Sequence, residues 1–168
     1  MTSNQPLARA VATFGGLGDK LPAPGTTVGS FPPALLWMGL CVAVPTDQLR
    51  IVLTAVGLVV FTVLGIWSSE IEAGRRQESD PRPIVVDEAA GQWLAYLVAL
   101  PFVPLMTTLH LAIFAAAGFL LFRFFDVIKV WPIKAFEKLP GGIGIVADDL
   151  AAGYFAAACL IIGWKGFG

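Results

Sequence analysis

The feature that most constrains this sequence is the spacing of its charged residues, which leaves long stretches without any charge. The chain has 168 residues, and no Asp, Glu, Lys or Arg occurs in residues 21–46, 51–69, 89–122 and 150–164. A helix that crosses a membrane needs about 20 mostly apolar residues. Only 14% of the residues are charged, whereas soluble domains carry about a quarter. The sequence therefore predicts a helical membrane protein.

The longest uncharged stretch is too long for one helix. It contains Pro101, Pro104 and Thr107, where a turn is favoured, so we divide it into two segments. We expect an all-α fold, a compact helical membrane bundle whose five apolar helices lie near 31–46, 50–68, 90–103, 105–122 and 150–164. Residues 1–168 are expected to form a single domain. The polar first ten residues do not form a signal peptide, so we expect the chain to be retained whole.

The distribution of Lys and Arg predicts the orientation of the bundle. With five spans, nine of the eleven basic residues fall on one side, and only Arg50 and Lys165 fall on the other. Because basic loops stay in the cytoplasm, we expect the richer side to be cytoplasmic. All twelve acidic residues except Asp47 fall on that same side. Acidic residues contribute little to topology, so their clustering requires another explanation.

Several kinds of chemistry are disfavoured by the residues present. The formal net charge is −1, so no basic excess exists to bind a nucleic-acid backbone, and we expect no nucleic-acid partner. A cysteine phosphatase commonly has an arginine six positions after its cysteine, whereas Cys41 and Cys159 are followed there by Asp47 and Lys165. The single His110 lies in an apolar stretch and is better explained as a structural residue. The Asp-x-Asp pair of haloacid-dehalogenase-type phosphatases does not occur.

A glycine-rich segment, residues 15–30, precedes the first apolar helix. The hydroxyl residues Thr26, Thr27 and Ser30 lie at its end. Free N–H groups at a helix N-terminus favour a phosphate, so this segment is a candidate phosphate cradle. The alternative is a plain turn followed by a helix that Ser30 caps.

Two further segments place a pair of acids at the start of an apolar helix. Asp87 and Glu88 follow Ile84-Val85-Val86, and Asp148 and Asp149 follow Ile145-Val146-Ala147. Glycines at 91 and 153 lie four residues after Asp87 and Asp149 and so share their helix faces, where we expect them to leave room for an ion or a phosphate. The alternative is that these acids only cap and stabilise the helix N-terminus. That role readily explains one acid of each pair but explains two adjacent acids less well.

Arg123, Asp126 and Lys129 recur every three residues at the end of another apolar helix. This spacing gives one charged stripe, which a self-paired surface feature would also explain. Clustered carboxylates repel each other unless a cation joins them, and oxygen ligands favour Mg²⁺ or Mn²⁺. Basic residues on the same side suit an anionic substrate. Together with the candidate cradle, these features favour metal-assisted phosphoryl chemistry that uses five carboxylates, Asp87, Glu88, Asp126, Asp148 and Asp149.

These motifs, in this order, resemble the phosphatidylglycerophosphatase A family. The likeness covers Ala23-Pro24-Gly25-Thr26-Thr27-Val28-Gly29-Ser30, Ile84 to Glu88 with Gly91, Phe122-Arg123 with Asp126 and Lys129, Trp131-Pro132-Ile133, and Gly141 to Ile145 with Asp148, Asp149 and Gly153. The resemblance implies a Mg²⁺-dependent phosphoric monoester hydrolase in the bacterial inner membrane. Its lipid substrate would be phosphatidylglycerophosphate, which it converts to phosphatidylglycerol in phospholipid biosynthesis. It also implies a central helix surrounded by others.

We assign three sets of site residues on this basis. Catalysis is expected of Asp126, Asp87 and Asp149, with the attacking group left open between water and a carboxylate. Metal binding is expected of Asp87, Glu88, Asp148 and Asp149. Substrate phosphate binding is expected of Lys129, Arg123, Lys20, Thr26, Thr27 and Ser30. The alternative is a small membrane transporter or assembly protein that binds a cation through the acidic cluster, although its acids would be expected near helix centres rather than at helix ends.

Overall fold

The computed structural model describes residues 4–103 and 107–167, and the regular elements in these ranges are all helical. This confirms the all-α fold. The elements are α1 (Gln5–Ala12), α2 (Leu17–Lys20), a π-helical turn (Gly25–Ser30), α3 (Phe31–Ala43), α4 (Asp47–Arg76), α5 (Val86–Ala99), a 3₁₀ turn (Leu100–Phe102), α6 (Thr108–Ile128), α7 (Ile133–Phe136) and α8 (Gly141–Phe167).

Four helical segments of the described chain are long and apolar enough to cross a membrane, namely Gly25–Ala43, Asp47–Arg76, Thr108–Ile128 and Gly141–Gly166. Their outer surfaces carry large apolar side chains. On α4, for example, Val52, Val56, Val59 and Val63 are all more than half exposed. A continuous apolar stripe of this kind is uncommon on soluble proteins and is expected where a helix contacts lipid.

The remaining apolar helix, α5, is the central helix of the bundle. It has 14 residues, which is too short to cross a membrane alone. It packs against α3, α4, α6 and α8, and most extensively against α8. Ten of its residues are buried, including Asp87 and Gln92. The surrounding helices therefore shield a helix whose polar residues lipid would not tolerate.

Two helix boundaries differ from the sequence expectation because hydropathy detects only the apolar part of a helix. α4 continues to Arg76 rather than ending near 68, and its buried Glu72 accepts hydrogen bonds from Arg75 and Arg76. α8 begins at Gly141 rather than near 150. Its first turn is joined to α4 by a hydrogen bond of 2.6 Å from the Gly142 N–H to Glu70 Oε2.

The turn expected between the third and fourth apolar segments is present. The chain leaves the 3₁₀ turn at Val103, and Thr107 caps α6 by accepting a hydrogen bond of 3.1 Å from the His110 N–H. Pro104 lies outside the described residues, as do the first two residues of the segment expected at 105–122. The remaining part of the expected division, at Pro101 and Thr107, is confirmed.

Aromatic contacts fix α5 relative to its neighbours. The Tyr96 ring stacks on Trp37 of α3 with ring centroids 4.1 Å apart, and its hydroxyl donates a hydrogen bond of 2.8 Å to the carbonyl of Ala115 in α6. The Trp93 indole N–H donates to the carbonyl of Pro33 at 3.1 Å. The Tyr96 hydroxyl and the Trp93 indole N–H both have hydrogen-bond acceptors inside the core. These bonds hold α5 in one position along the bundle axis.

The two ends of the bundle differ in charge. α3, α5 and α8 begin at one end, where α4 and α6 finish, and we call this the acidic end. At the opposite end, Arg50 donates hydrogen bonds to the carbonyls of Cys41 and Val44, and Lys165 lies 5.6 Å from the centroid of the Phe102 ring. This arrangement matches the charge partition that the sequence predicts.

The orientation can be tested with single cysteines at exposed positions of the two ends, Lys134 and Gln48. In a variant that lacks Cys41 and Cys159, we expect Gln48→Cys to react with a membrane-impermeant maleimide in intact cells. Lys134→Cys should react only after the cells are permeabilised, because the excess of basic residues predicts that the acidic end faces the cytoplasm. Labelling of Lys134→Cys in intact cells would contradict this orientation.

Candidate active site

Three carboxylates meet at the acidic end. Asp87 and Glu88 lie in the first turn of α5, and Asp149 lies in α8. One carboxylate oxygen from each lies within 4.8 Å of those of the other two. Asp87 and Asp149 are 5% and 4% exposed, and two buried oxygens, Asp87 Oδ1 and Glu88 Oε2, have no hydrogen-bond partner among the described residues.

This donor set fits a divalent cation. Three carboxylates this close repel each other strongly in a poorly hydrated environment. Mg²⁺ and Mn²⁺ prefer oxygen ligands, and the two unpartnered oxygens are free to supply them. The sequence analysis proposed these three residues as metal ligands, and the fold brings all three together.

The acids meet because α5 and α8 touch through glycines. A Cβ atom on Gly153 would overlap the Gly91 carbonyl oxygen, and one on Gly91 would overlap the Asp149 carbonyl oxygen and the Phe122 ring. The expectation that these glycines leave room for an ion or a phosphate is therefore wrong. They are small because two helix backbones approach closely there, as is common in membrane bundles.

The fourth predicted metal ligand, Asp148, is paired with a lysine through one oxygen, while its other oxygen, Oδ1, is buried without a hydrogen-bond partner among the described residues. Its Oδ2 accepts a hydrogen bond of 2.6 Å from Lys129 Nζ, which also donates to Glu137 Oε1 at 2.6 Å. Lys129 follows the last turn of α6 in a left-handed conformation. Burial opposes the charge of Lys129, but its hydrogen bonds to Asp148 and Glu137 outweigh that effect and raise its pKa above the usual value. Lys129 therefore stays protonated beside the acids.

Arg123 of α6 contacts both the carboxylates of the acidic end and the π-helical turn before α3. Its guanidinium forms an ion pair of 2.5 Å with Asp126 Oδ2 and lies 3.8 Å from Glu88 Oε1. It also donates a hydrogen bond of 3.3 Å to Ser30 Oγ. The stripe formed by Arg123, Asp126 and Lys129 is thus more than a self-paired surface feature, because both of its basic residues contact acids on other helices.

The glycine-rich segment packs against Glu88. Cβ atoms on Gly25 and Gly29 would overlap the Glu88 carboxylate, so these positions allow the segment to lie directly on α5. The N–H groups of Thr26 and Thr27 both donate to the Ala23 carbonyl at 3.0 Å. The donors that the sequence analysis expected to be free for a phosphate are therefore used within the segment.

Ser30 is buried, and its hydroxyl donates to the Gly25 carbonyl at 3.0 Å. The alternative in which Ser30 caps the first apolar helix is wrong, because the helical backbone continues back to Gly25 through the π-helical turn. Lys20, at the end of α2, is exposed and does not line the cavity described next.

A cavity of about 710 Å³ opens over the acids. Its polar lining is Asp80, Arg82, Asp87, Glu88, Arg123, Asp126, Lys129, Asp148 and Asp149. Asp80 and Arg82 were not among the predicted site residues. The sequence signal that could have identified them is Asp80-Pro81-Arg82-Pro83, two charges interleaved with prolines just before the first acid pair. Together the lining offers carboxylates for a cation and three bases for an anion.

Comparisons with known proteins point to one family. The family model described as phosphatidylglycerophosphatase A matches residues 10–164. A Haemophilus influenzae protein named phosphatidylglycerophosphatase A is 31% identical, and the alignment covers 93% of each chain. An Escherichia coli K12 protein of the same name is 36% identical over 98 residues, which cover 58% of this chain and 52% of the relative.

A third relative carries a different name. A Bacteroides thetaiotaomicron protein, provisionally named phosphatidylinositol-3-phosphatase, is 34% identical over 150 residues, which cover 87% of this chain and 86% of the relative. No solved structure gives a significant match to the chain.

The glycine contact between α5 and α8 generates a test of the geometry. We expect Gly153→Ala to lower the melting temperature of the purified protein, because the added methyl group would overlap the Gly91 carbonyl. Overpacking of this kind typically costs about 1–3 kcal/mol. Gly163→Ala, on the same helix, is the matched control, since its Cβ would meet no atom of another element within 4 Å. It should be neutral or stabilising. Similar melting temperatures for both variants would contradict the contact.

Proposed function

Because the chain belongs to the phosphatidylglycerophosphatase A family and is therefore a phosphatase, we propose that it hydrolyses the terminal phosphate of phosphatidylglycerophosphate in a Mg²⁺-dependent reaction. The product would be phosphatidylglycerol, formed in bacterial phospholipid biosynthesis at the cytoplasmic side of the inner membrane. The observation that carries the proposal is the cluster of Asp87, Glu88 and Asp149, which shares a cavity with Arg123 and Lys129.

In this proposal, Asp87, Glu88 and Asp149 would hold Mg²⁺, with Mn²⁺ as a substitute. When bound, the cation would polarise the phosphoryl group and neutralise its developing charge. Asp148 is next in sequence to a ligand and lines the same cavity, and we keep it as an indirect contributor through Lys129. Asp126 lies at the wall of the cavity, held by Arg123, and is our candidate for proton transfer or attack on phosphorus.

Arg123 and Lys129 would bind the phosphate oxygens. A guanidinium can donate two parallel hydrogen bonds to a phosphate, whereas an ammonium acts as a point charge. Both residues already contact carboxylates, so an incoming phosphate would compete with Asp126 and Asp148 for them. Lys20, Thr26, Thr27 and Ser30 remain a second proposed phosphate cradle, which would require donors other than the N–H groups now bonded to Ala23.

The position of the cavity favours a lipid rather than a soluble phosphate ester. One of its walls is Val127, which is 70% exposed, and the exposed Phe124 and Leu120 continue this apolar face along α6. A phospholipid could keep its acyl chains beside α6 while its head group reaches the acids.

The alternative of a cation transporter is less well supported, because Asp87, Glu88 and Asp126 lie in the terminal turns of α5 and α6. Asp149 lies further inside α8 but joins Asp87 and Glu88 at the acidic end of the bundle.

The names of the relatives suggest two different head groups, so the substrate needs a direct test. Purified protein in lipid vesicles should release phosphate faster from phosphatidylglycerophosphate than from phosphatidylinositol 3-phosphate or phosphatidate. EDTA should abolish the release, and added Mg²⁺ should restore it. Preference for the phosphoinositide would replace the proposed substrate, and full activity in EDTA would contradict the proposed cofactor.

The metal ligands can be tested without changing side-chain size. Asp87→Asn and Asp149→Asn should each lower turnover on the order of 100-fold, because each removes a charged ligand. Asn caps helices about as well as Asp, so the melting temperature should change little. Asp47→Asn is the control, since Asp47 is exposed at the opposite end of the bundle. Near-normal turnover in both site variants would disprove the metal assignment.

A further inference from the structure

Gln92 is a fully buried polar residue that the proposed chemistry does not use. It lies on α5 with 0% of its surface exposed, and neither its amide nitrogen nor its amide oxygen has a hydrogen-bond partner among the described residues. Buried polar groups of native proteins are nearly always hydrogen-bonded, and an exception calls for an explanation such as strain, a catalytic role, or a bound water or ion. Replacing this residue with an apolar one would be favourable if it only filled space.

Helix geometry predicts that the Gln92 amide points toward the acidic end. It is four residues after Glu88, so the two side chains share one face of the helix. Long side chains on a helix lean toward its N-terminus, which places the Gln92 amide over the turn that carries Glu88. Gly29 lies against Glu88 on this side, and Phe122, next to Arg123, packs against Gly91.

In the part of the chain that the structure describes, two other buried atoms near this face also have no hydrogen-bond partner, and they complement the amide. Glu88 Oε2 can only accept a hydrogen bond, and Arg123 Nε can only donate one. The side chains that carry these atoms are 3.8 Å apart at their nearest charged atoms. A glutamine amide has an NH₂ group that can donate to the first atom and an oxygen that can accept from the second.

We propose that Gln92 is a positioning residue that joins Glu88 to Arg123. Through buried water, its NH₂ group donates toward Glu88 Oε2 and its oxygen accepts from the direction of Arg123 Nε. The amide thereby fixes the orientation of a metal ligand and of a phosphate-binding arginine at the same time. The inference rests on the proposed function for the roles of Glu88 and Arg123, and Gln92 itself contacts neither cation nor substrate.

The test is Gln92→Leu, which has a similar volume and no hydrogen-bonding groups. Mn²⁺ binding to the purified protein in detergent is measured by electron paramagnetic resonance, together with the melting temperature without metal. We expect Mn²⁺ to bind 10- to 100-fold more weakly, as for other residues that orient metal ligands. In vesicle assays, KM for phosphatidylglycerophosphate should rise and kcat should fall, because both Glu88 and Arg123 lose their support.

The matched control is Ser69→Ala. Ser69 is also fully buried, and its hydroxyl has no partner within residues 4–103 and 107–167, but it lies on α4 and does not line the cavity. Its replacement should leave Mn²⁺ binding unchanged. A Gln92→Leu protein with a higher melting temperature and wild-type Mn²⁺ affinity would overturn the inference while leaving the proposed function intact.

Gln92→Met provides a second variant, because its flexible side chain fits irregular spaces. Weakened Mn²⁺ binding in a folded Gln92→Met protein supports the inference even if Gln92→Leu does not fold. Failure of both variants to fold would overturn it, since Gln92 would then be a structural residue. If the wild-type protein binds no Mn²⁺, the proposed metal site and this inference are both wrong.

Discussion

Repulsion among carboxylates at the end of an apolar bundle is the constraint on which the arrangement of this protein depends. The chain offsets part of it internally, since Arg123 pairs with Asp126 and Lys129 pairs with Asp148. Asp87, Glu88 and Asp149 retain unpartnered or closely opposed oxygens, which a cation would satisfy. The cavity therefore contains bases that suit a phosphate and acids that suit a cation, which is why we expect both to bind there.

The enclosed position of α5 makes this cluster possible. A helix that begins with Asp87 and Glu88 and carries Gln92 in its interior could not face lipid. The outer helices supply the apolar surface instead, and ion pairs join the polar end of α4 to α2. Glu72 of α4 binds Arg76 at 2.6 Å, and Arg76 also reaches Asp19 of α2 at the same distance. The outer helices therefore carry the apolar surface for lipid, whereas the enclosed helix α5 carries residues of the candidate site.

The sequence predicted the apolar helices because membrane thickness sets the length of an uncharged stretch. It did not predict where α4 ends, since Glu72 continues the helix only because Arg75 and Arg76 neutralise it. It also predicted that the acid pairs would meet. It could not separate Asp148 from Asp149, because neighbouring residues point about 100° apart on a helix and only packing decides which one faces α5. The role of the glycines likewise depended on contacts between distant helices.

The backbone contact between α5 and α8 restricts the distance between the two helices that carry Asp87, Glu88 and Asp149. At Gly91 and Gly153 the two helices meet through main-chain atoms, which, unlike side chains, cannot adopt another rotamer to relieve the contact. The distance between the backbones that carry Asp87 and Asp149 is therefore restricted by this contact, and the remaining adjustment comes from the rotamers of the two side chains. Ca²⁺ requires oxygens at about 2.3–2.6 Å, whereas Mg²⁺ accepts about 2.0–2.1 Å. Because the contact limits how far α5 and α8 can move apart, it would favour the smaller of the two ions over the larger one.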